Sequence, residues 1–447
     1  MSARPPVSFR DAFYFWLRLG FISFGGPAGQ IAIMHRELVE QKRWISEKRF
    51  LHGLNYCMVL PGPEAQQLAT YIGWLMHGTR GGIVAGALFV LPSLVILIAL
   101  SWIYVAFGNV PLIAGIFFGI KPAVTAIVLA AAWRIGGKTL RNRWLWAIAV
   151  SAFFAIFAAD IPFPAIVLGA AVIGAIGGRV APAKFAPGSG HSNAGTDNAD
   201  VMIGDNVATP AHAVFRLSRT LLYFAIGLGM WIVAMALLAA HSGMDGTLAQ
   251  MGWFFTKAAL LTFGGAYAVL PYVYQGAVEH FQWLNAQQMI DGLALGETTP
   301  GPLIMVVAFV GFLGGWSKSV LGPDALFAGA ALAACVVTFF TFLPSFLFIL
   351  VGGPLVEATH GQMRFTAPLT AITAAVVGVI VNLAVFFAWK VWWPLATRSE
   401  PFGGAFEWFS MLLTVAAAIA LMRYKVNVMM VIAACGVLGV ARTFLLA

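Results

Sequence analysis

Five long apolar runs dominate the chain: Ile83–Phe107, Leu112–Trp133, Leu221–Ala240, Ala325–Gly352 and Ala367–Trp389. Each passes the roughly 18-residue length needed to cross a hydrocarbon core. The runs are continuous rather than alternating, which predicts helices and argues against a barrel. Between and within them lie a few short interruptions of glycine and proline, among them "FISFGGPAGQ" at 21–30 and "PGP" at 61–63. The pattern predicts an all-α, polytopic helical membrane protein. It allows roughly eight to thirteen crossings, depending on whether the interrupted segments cross or re-enter.

Composition agrees. The 447 residues are 60% apolar and 10% charged, with a mean hydropathy of +0.87, against about 25% charged residues in soluble domains. The N-terminal "MSARPPVSFRD" lacks the short apolar core and small-residue cleavage site of a signal peptide. Cys57, Cys335 and Cys435 stand alone and the eight histidines are scattered, so no metal, cofactor or catalytic site is expected. The net charge of +9 is spread over short loops. That is a topology signal rather than a nucleic-acid surface.

One stretch can neither span nor pack. Residues 180–213 are rich in Pro, Gly, Ser, Asn and Asp and are flanked by Arg179, Arg216 and Arg219. They read as a flexible cytoplasmic linker between an N-terminal membrane half, 1–179, and a C-terminal one, 214–447.

The halves are repeats. A gapless shift of 239 positions places Phe24-Gly25-Gly26 on Phe263-Gly264-Gly265 and Pro61-Gly62-Pro63 on Pro300-Gly301-Pro302, with 11 of 40 residues identical. The loop between the first pair of motifs carries Arg36, Lys42, Arg43, Lys48 and Arg49, whereas 274–291 has no Lys or Arg. By the positive-inside rule the two loops face opposite sides, so the halves are expected to be inverted repeats.

Each interruption ends one helix and starts another. Glycine gives permissive backbone and proline suits a first helical turn. A helix that starts inside a bilayer presents N–H groups without partners and a partial positive charge. An anion is their natural ligand. Starts are expected after Gly26, Gly62, Gly265 and Gly301; Ala266 replaces Pro27 in the second copy. Arg18 and Lys257 precede the two glycine pairs at one spacing, and Lys121 lies in the apolar "FFGIKPAVTAI". Intramembrane cations point to function, or snorkel to an interface. The substrate-binding set is therefore Arg18, Gly25, Gly26, Pro27, Pro61, Gly62, Pro63, Lys121, Lys257, Gly264, Gly265, Pro300, Gly301 and Pro302. Glu64, Gln66, Gln67, Glu297, Thr298 and Thr299 flank the PGP motifs and either bind substrate, carry a coupling proton or cap helices. Trp44 and Trp283 read as interfacial anchors, and Gly115 and Gly119 as a close helix contact.

"FGGP" followed by "PGP", repeated as "FGG…TPGP", resembles the CHR chromate ion transporter family in its long form of two homologous halves. The resemblance implies a secondary transporter, not an enzyme, that exports chromate across the bacterial inner membrane and confers chromate resistance. It places the family's glycine-rich motif on Phe24–Pro27 and its PGP on Pro61–Pro63. Sulfate or another oxyanion is the alternative substrate, and an anion channel the alternative mechanism. The implied partners are chromate or sulfate and the lipid bilayer, with a homodimer left open and no nucleic acid.

Overall fold

The computed structural model describes residues 7–185, 202–203, 210, 212–263, 265–358, 366–397 and 400–445. The first half runs α1 (Phe9–Ile22), α2 (Gly26–His35), α3 (Glu47–Val59), α4 (Glu64–Phe107), α5 (Pro111–Thr139), α6 (Arg143–Ala159) and α7 (Phe163–Val180). Among the described residues, α8 (Leu217–Ser242) leads from it into the second half. That half runs α9 (Thr247–Leu261), α10 (Ala266–Tyr274), α11 (Ala286–Thr298), α12 (Val306–Ser317), α13 (Leu326–Ala358), α14 (Thr366–Trp392), α15 (Trp408–Met422) and α16 (Val428–Leu445). Among the described residues, seven helices are long and apolar enough to cross a membrane.

The 239-residue repeat reappears in the local structure. A π-helical turn at Arg36–Gln41 corresponds to one at Gln275–His280. Arg43 and Gln282, equivalent positions, both have φ of +52°. Ser46 caps α3 through the Arg49 N–H, and its equivalent Asn285 caps α11 through the Gln288 N–H. These caps satisfy N–H groups that the helix itself leaves unpaired. Beyond PGP the copies diverge. In α4 the chain kinks at His77 and Gly78, where φ/ψ leave the helical region. The second half instead separates α12 from α13.

The halves interlock. α5 packs on α15 and α16, and α14 packs on α6 and α7, so each half wraps the other's last helices. The expected close contact at Gly115 and Gly119 is between α5 and α16: a Cβ on Gly119 would stand 2.8 Å from the Gly439 Cα. Small residues let the backbones meet, as membrane helix pairs require. The segment expected as a linker, 180–213, falls largely outside the described residues. Within it, Val180 closes α7, and Ile203 is buried in a parallel bridge with Ile45.

Trp283 differs from the interfacial role expected for it. It is 1% exposed and stacks on Phe281 and Phe255. Trp44 is half-buried and packs on Phe15 beside the Lys42 ammonium.

Candidate functional site

The two halves meet where their helices break. α1 ends at Ile22, and Ser23 turns its Oγ back to donate to the Leu19 carbonyl at 2.7 Å. Thr262, the equivalent residue after α9, donates to the Ala258 carbonyl at 2.7 Å. This leaves the backbone carbonyls of Ser23 and Thr262 free of their own helices, and each takes a donor from the other half. The Gly62 N–H donates to the Thr262 carbonyl at 2.7 Å, and the Gly301 N–H donates to the Ser23 carbonyl at 2.8 Å. The PGP of each half is thus clipped to the broken helix of the other, by two hydrogen bonds related by the repeat.

Glycine is required at the centre of each PGP. Gly62 has φ of +122° and Gly301 of +106°, where an L side chain is strained. A Cβ on Gly62 would also run into Ser345 Oγ and stand 2.7 Å from Gln67 Nε2, and one on Gly301 would stand 2.9 Å from Ser93 Cβ. Ser93 and Ser345 follow prolines in matching "LPS" triplets of α4 and α13. Each therefore faces the PGP of the opposite half.

Three glutamines line the crossing, none more than 1% exposed. Gln30 Nε2 donates to the Gly301 carbonyl. Gln67 Nε2 donates to the Pro61 carbonyl at 2.8 Å and Gln66 Nε2 to Thr70 Oγ1 at 3.0 Å. The Oε1 atom of all three is buried with no hydrogen-bond partner. A buried amide with an unused polar end costs about 1–3 kcal/mol, and here three unused acceptor oxygens gather at the crossing. The Gln66 amide could turn end for end and free its NH2 toward a ligand if the Thr70 hydroxyl, which donates to the Gln66 carbonyl at 2.9 Å, redirected its proton to the turned oxygen.

Helix starts surround this point. α2 begins at Gly26 with Pro27 in its first turn, α4 at Glu64 after Pro63, and α10 at Ala266; a 3-10 turn begins at Leu303 after Pro302. None of the four is capped by a side chain. The two breaks are unequally covered. Gly25 is exposed and Gly26 and Pro27 half-buried, whereas Gly265 and Ala266 are buried. In α2 only Gln30 and Met34 are buried, while nearly all of α10 is.

A family profile described as "Chromate transporter" matches residues 10–175 and 249–440. The chain belongs to the chromate transporter family. It is 34% identical over 443 residues to the chromate transport protein of Pseudomonas aeruginosa, covering 97% of this chain and 92% of that one. It is 30% identical over 386 residues to a probable chromate transport protein of Synechococcus elongatus, covering 86% of each. It is 29% identical over 399 residues to the chromate transport protein of Cupriavidus metallidurans, covering 86% and 84%. No solved structure matches the chain. This member of the chromate transporter family is a multi-pass membrane protein and a transport protein rather than an enzyme.

The expected site residues of this transporter divide into those at the crossing and those away from it. Pro61, Gly62, Pro63, Pro300, Gly301 and Pro302 form it, and Gly25, Gly26, Pro27 and Gly265 start the helices beside it. Gly264 lies outside the described residues. Arg18 and Lys257 are exposed on the sides of α1 and α9 that turn away from the core, and Lys257 Nζ lies 5.7 Å from the Trp253 ring centroid. The structure does not bring these two to the crossing. Nor is Lys121 there: it pairs with Asp291, 3.5 Å from its Oδ2. Glu297 accepts a hydrogen bond from the Tyr267 hydroxyl, tying α11 to the first turn of α10. Thr298 and Thr299 hydroxyls donate back to carbonyls of their own helix.

Sequence reasoning missed Ser23, Gln30, Ser93, Thr262, Ser345 and Asp291. A signal existed for two of them. The "LPS" triplets repeat at a spacing of 252 rather than 239, because the chain between PGP and LPS is longer in the second half.

Proposed function

We propose that this protein exports chromate across the bacterial inner membrane, holding the dianion at the crossing of the two helix breaks and releasing it by alternating access. The observation that carries the reading is the reciprocal clip of Gly62 to Thr262 and Gly301 to Ser23. It places uncapped helix starts from both halves around three buried, partly unpaired glutamines. Chromate is a small tetrahedral dianion with acceptors on every side. Convergent N–H donors at helix N-termini match it without needing a cation in contact. Relatives along most of the chain are called chromate transport proteins.

The unequal cover of the two breaks supports alternation over a channel. One glycine start is reached from the surface while its equivalent is buried, and the crossing itself is closed. The membrane potential supplies the driving force. Moving one charge through 100 mV is worth about 2.3 kcal/mol. A dianion leaving a negative interior therefore gains about 4.6, enough for roughly a thousandfold gradient.

The test is chromate uptake into everted membrane vesicles under an imposed, inside-positive potential, with sulfate as competitor. Saturable, potential-dependent accumulation is expected. Sulfate, a dianion of the same shape, is expected to compete. Absence of accumulation would remove the export reading, and unitary currents would replace the carrier with a channel.

A further inference from the structure

A second polar cluster lies away from the crossing. Asp291 of α11 is 3% exposed. Its Oδ2 accepts a hydrogen bond from the Tyr104 hydroxyl of α4 at 2.9 Å and faces Lys121 Nζ of α5 at 3.5 Å. Its Oδ1 is buried with no hydrogen-bond partner. The ammonium stands farther off than the roughly 2.7–2.9 Å of a charge-assisted bond, and its side chain keeps 23% exposure. Tyr104 lies eleven residues beyond Ser93 on the same helix, which separates the cluster from the crossing by about 16 Å.

The other half shows what a completed pair looks like. Arg49 of α3, the helix equivalent to α11, donates to Glu357 Oε2 of α13 at 2.6 Å, and the Tyr71 hydroxyl donates to the other carboxylate oxygen. Both pairs bridge the halves, and both anchor a helix that leads into a PGP. The Arg49–Glu357 pair is closed. The Lys121–Asp291 pair leaves one carboxylate oxygen buried and unused, a costly arrangement in a membrane interior unless something binds there.

We propose that Lys121 and Asp291 form a staging site for the transported oxyanion, occupied when Asp291 takes a proton. The proton comes from water on the side that opens and forms an O–H bond at Oδ1, while Tyr104 keeps its bond to Oδ2. The pair then passes from net zero charge to net +1, with Lys121 released from its counter-ion. Lys121 Nζ and Asp291 Oδ1 both become donors, and an oxyanion accepts from the two together. The other charged and titratable groups on α11 and on the described elements packed against it are these. Glu297 of α11 accepts from Tyr267 and feels the charge of Arg134 of α5, which also carries Lys138; α4 carries Glu64, Arg80, Tyr71 bound to Glu357 and His77 bound to the Val7 carbonyl. α12 and the turn before it carry none, Lys390 of α14 donates to the Ala396 carbonyl, Arg442 of α16 pairs with Glu407, and Cys435 of α16 lies against Gly119 of α5. The polar side chains that the structure places on Asp291 itself are Tyr104 and Lys121. Binding of proton and anion is therefore mutually favourable, and by linkage each strengthens the other equally.

This inference rests on the reading that the chain carries an oxyanion, and the two fail differently. The experiment is chromate binding to the purified full-length protein in lipid nanodiscs at about pH 6.5 and about pH 8, with a limiting linkage of about tenfold per pH unit for one proton. The wild type is compared with Asp291→Asn and with the double variant Lys121→Ala/Asp291→Asn. Chromate's own protonation is common to all three and cancels in the comparison. The wild type should bind more tightly as pH falls, by up to that limit relative to either variant. The double variant leaves no unpaired buried charge and keeps the test open should Asp291→Asn fold poorly. A wild-type pH slope preserved in the variants overturns the staging site alone. No chromate binding by the wild type at either pH overturns the oxyanion reading, and the staging site with it.

Discussion

At the residue scale, the clip between the halves turns on two glycines. Gly62 and Gly301 combine positive φ with a neighbour where a Cβ would sit. An alanine at either position would therefore carry a strain cost of about 1–2 kcal/mol and an overpacking cost of about 1–3. Gly62→Ala and Gly301→Ala should each lower chromate transport at least tenfold and lower the midpoint of thermal unfolding in detergent. Gly137, which has nothing within 4 Å of an added Cβ, is the control: Gly137→Ala should change neither. Equal behaviour of all three would contradict the clip. The PGP motifs were legible because the triplet proline–glycine–proline recurs at the spacing of the repeat. Gln30, Ser93 and Ser345 were not, since their importance comes from contacts with the opposite half. Arg18 and Lys257 show the converse: cations within apolar runs stood out by composition, but which side of a 14- or 15-residue helix they occupy is decided by packing.

At the element scale, α2 and α10 occupy equivalent places in the repeat and unequal places in the fold. α2 lies near the surface, and α10 is packed against α9, α14 and α7. If transport exchanges the two environments, thiols on the two helices should respond to substrate in opposite directions. Ala28→Cys, at an exposed position, should lose maleimide reactivity when chromate is added, and Ala268→Cys, 0% exposed, should gain it. Changes of the same sign would rule out the exchange. The caps at Ser46 and Asn285 came from the structure, but helix starts after the glycine and proline breaks followed from sequence, because those residues act locally. The wrapping of α5 and α14 around the other half did not, since apolar all-round helices carry no stripe to say which neighbour they meet.

At the scale of the whole molecule, the inverted orientation of the halves is an expectation that rests on loop charge: five Lys and Arg lie between the first pair of motifs and none in 274–291. Single cysteines replacing Arg43 and Gln282, both exposed and equivalent in the repeat, should be labelled by an impermeant reagent from opposite sides of the membrane. Labelling from one side would make the halves parallel. The repeat was readable from sequence over its first 40 residues and faded where the second half gained residues between PGP and LPS.

The most direct test of the crossing is chromate accumulation in everted vesicles containing equal amounts of wild type, Gly62→Ala, Gly301→Ala and Gln66→Leu. Potential-driven accumulation by the wild type, lowered at least tenfold by the glycine variants and shifted to higher half-saturating chromate by Gln66→Leu, is the predicted result. Wild-type rates and affinities in all three variants would contradict it and place the substrate path elsewhere in the fold.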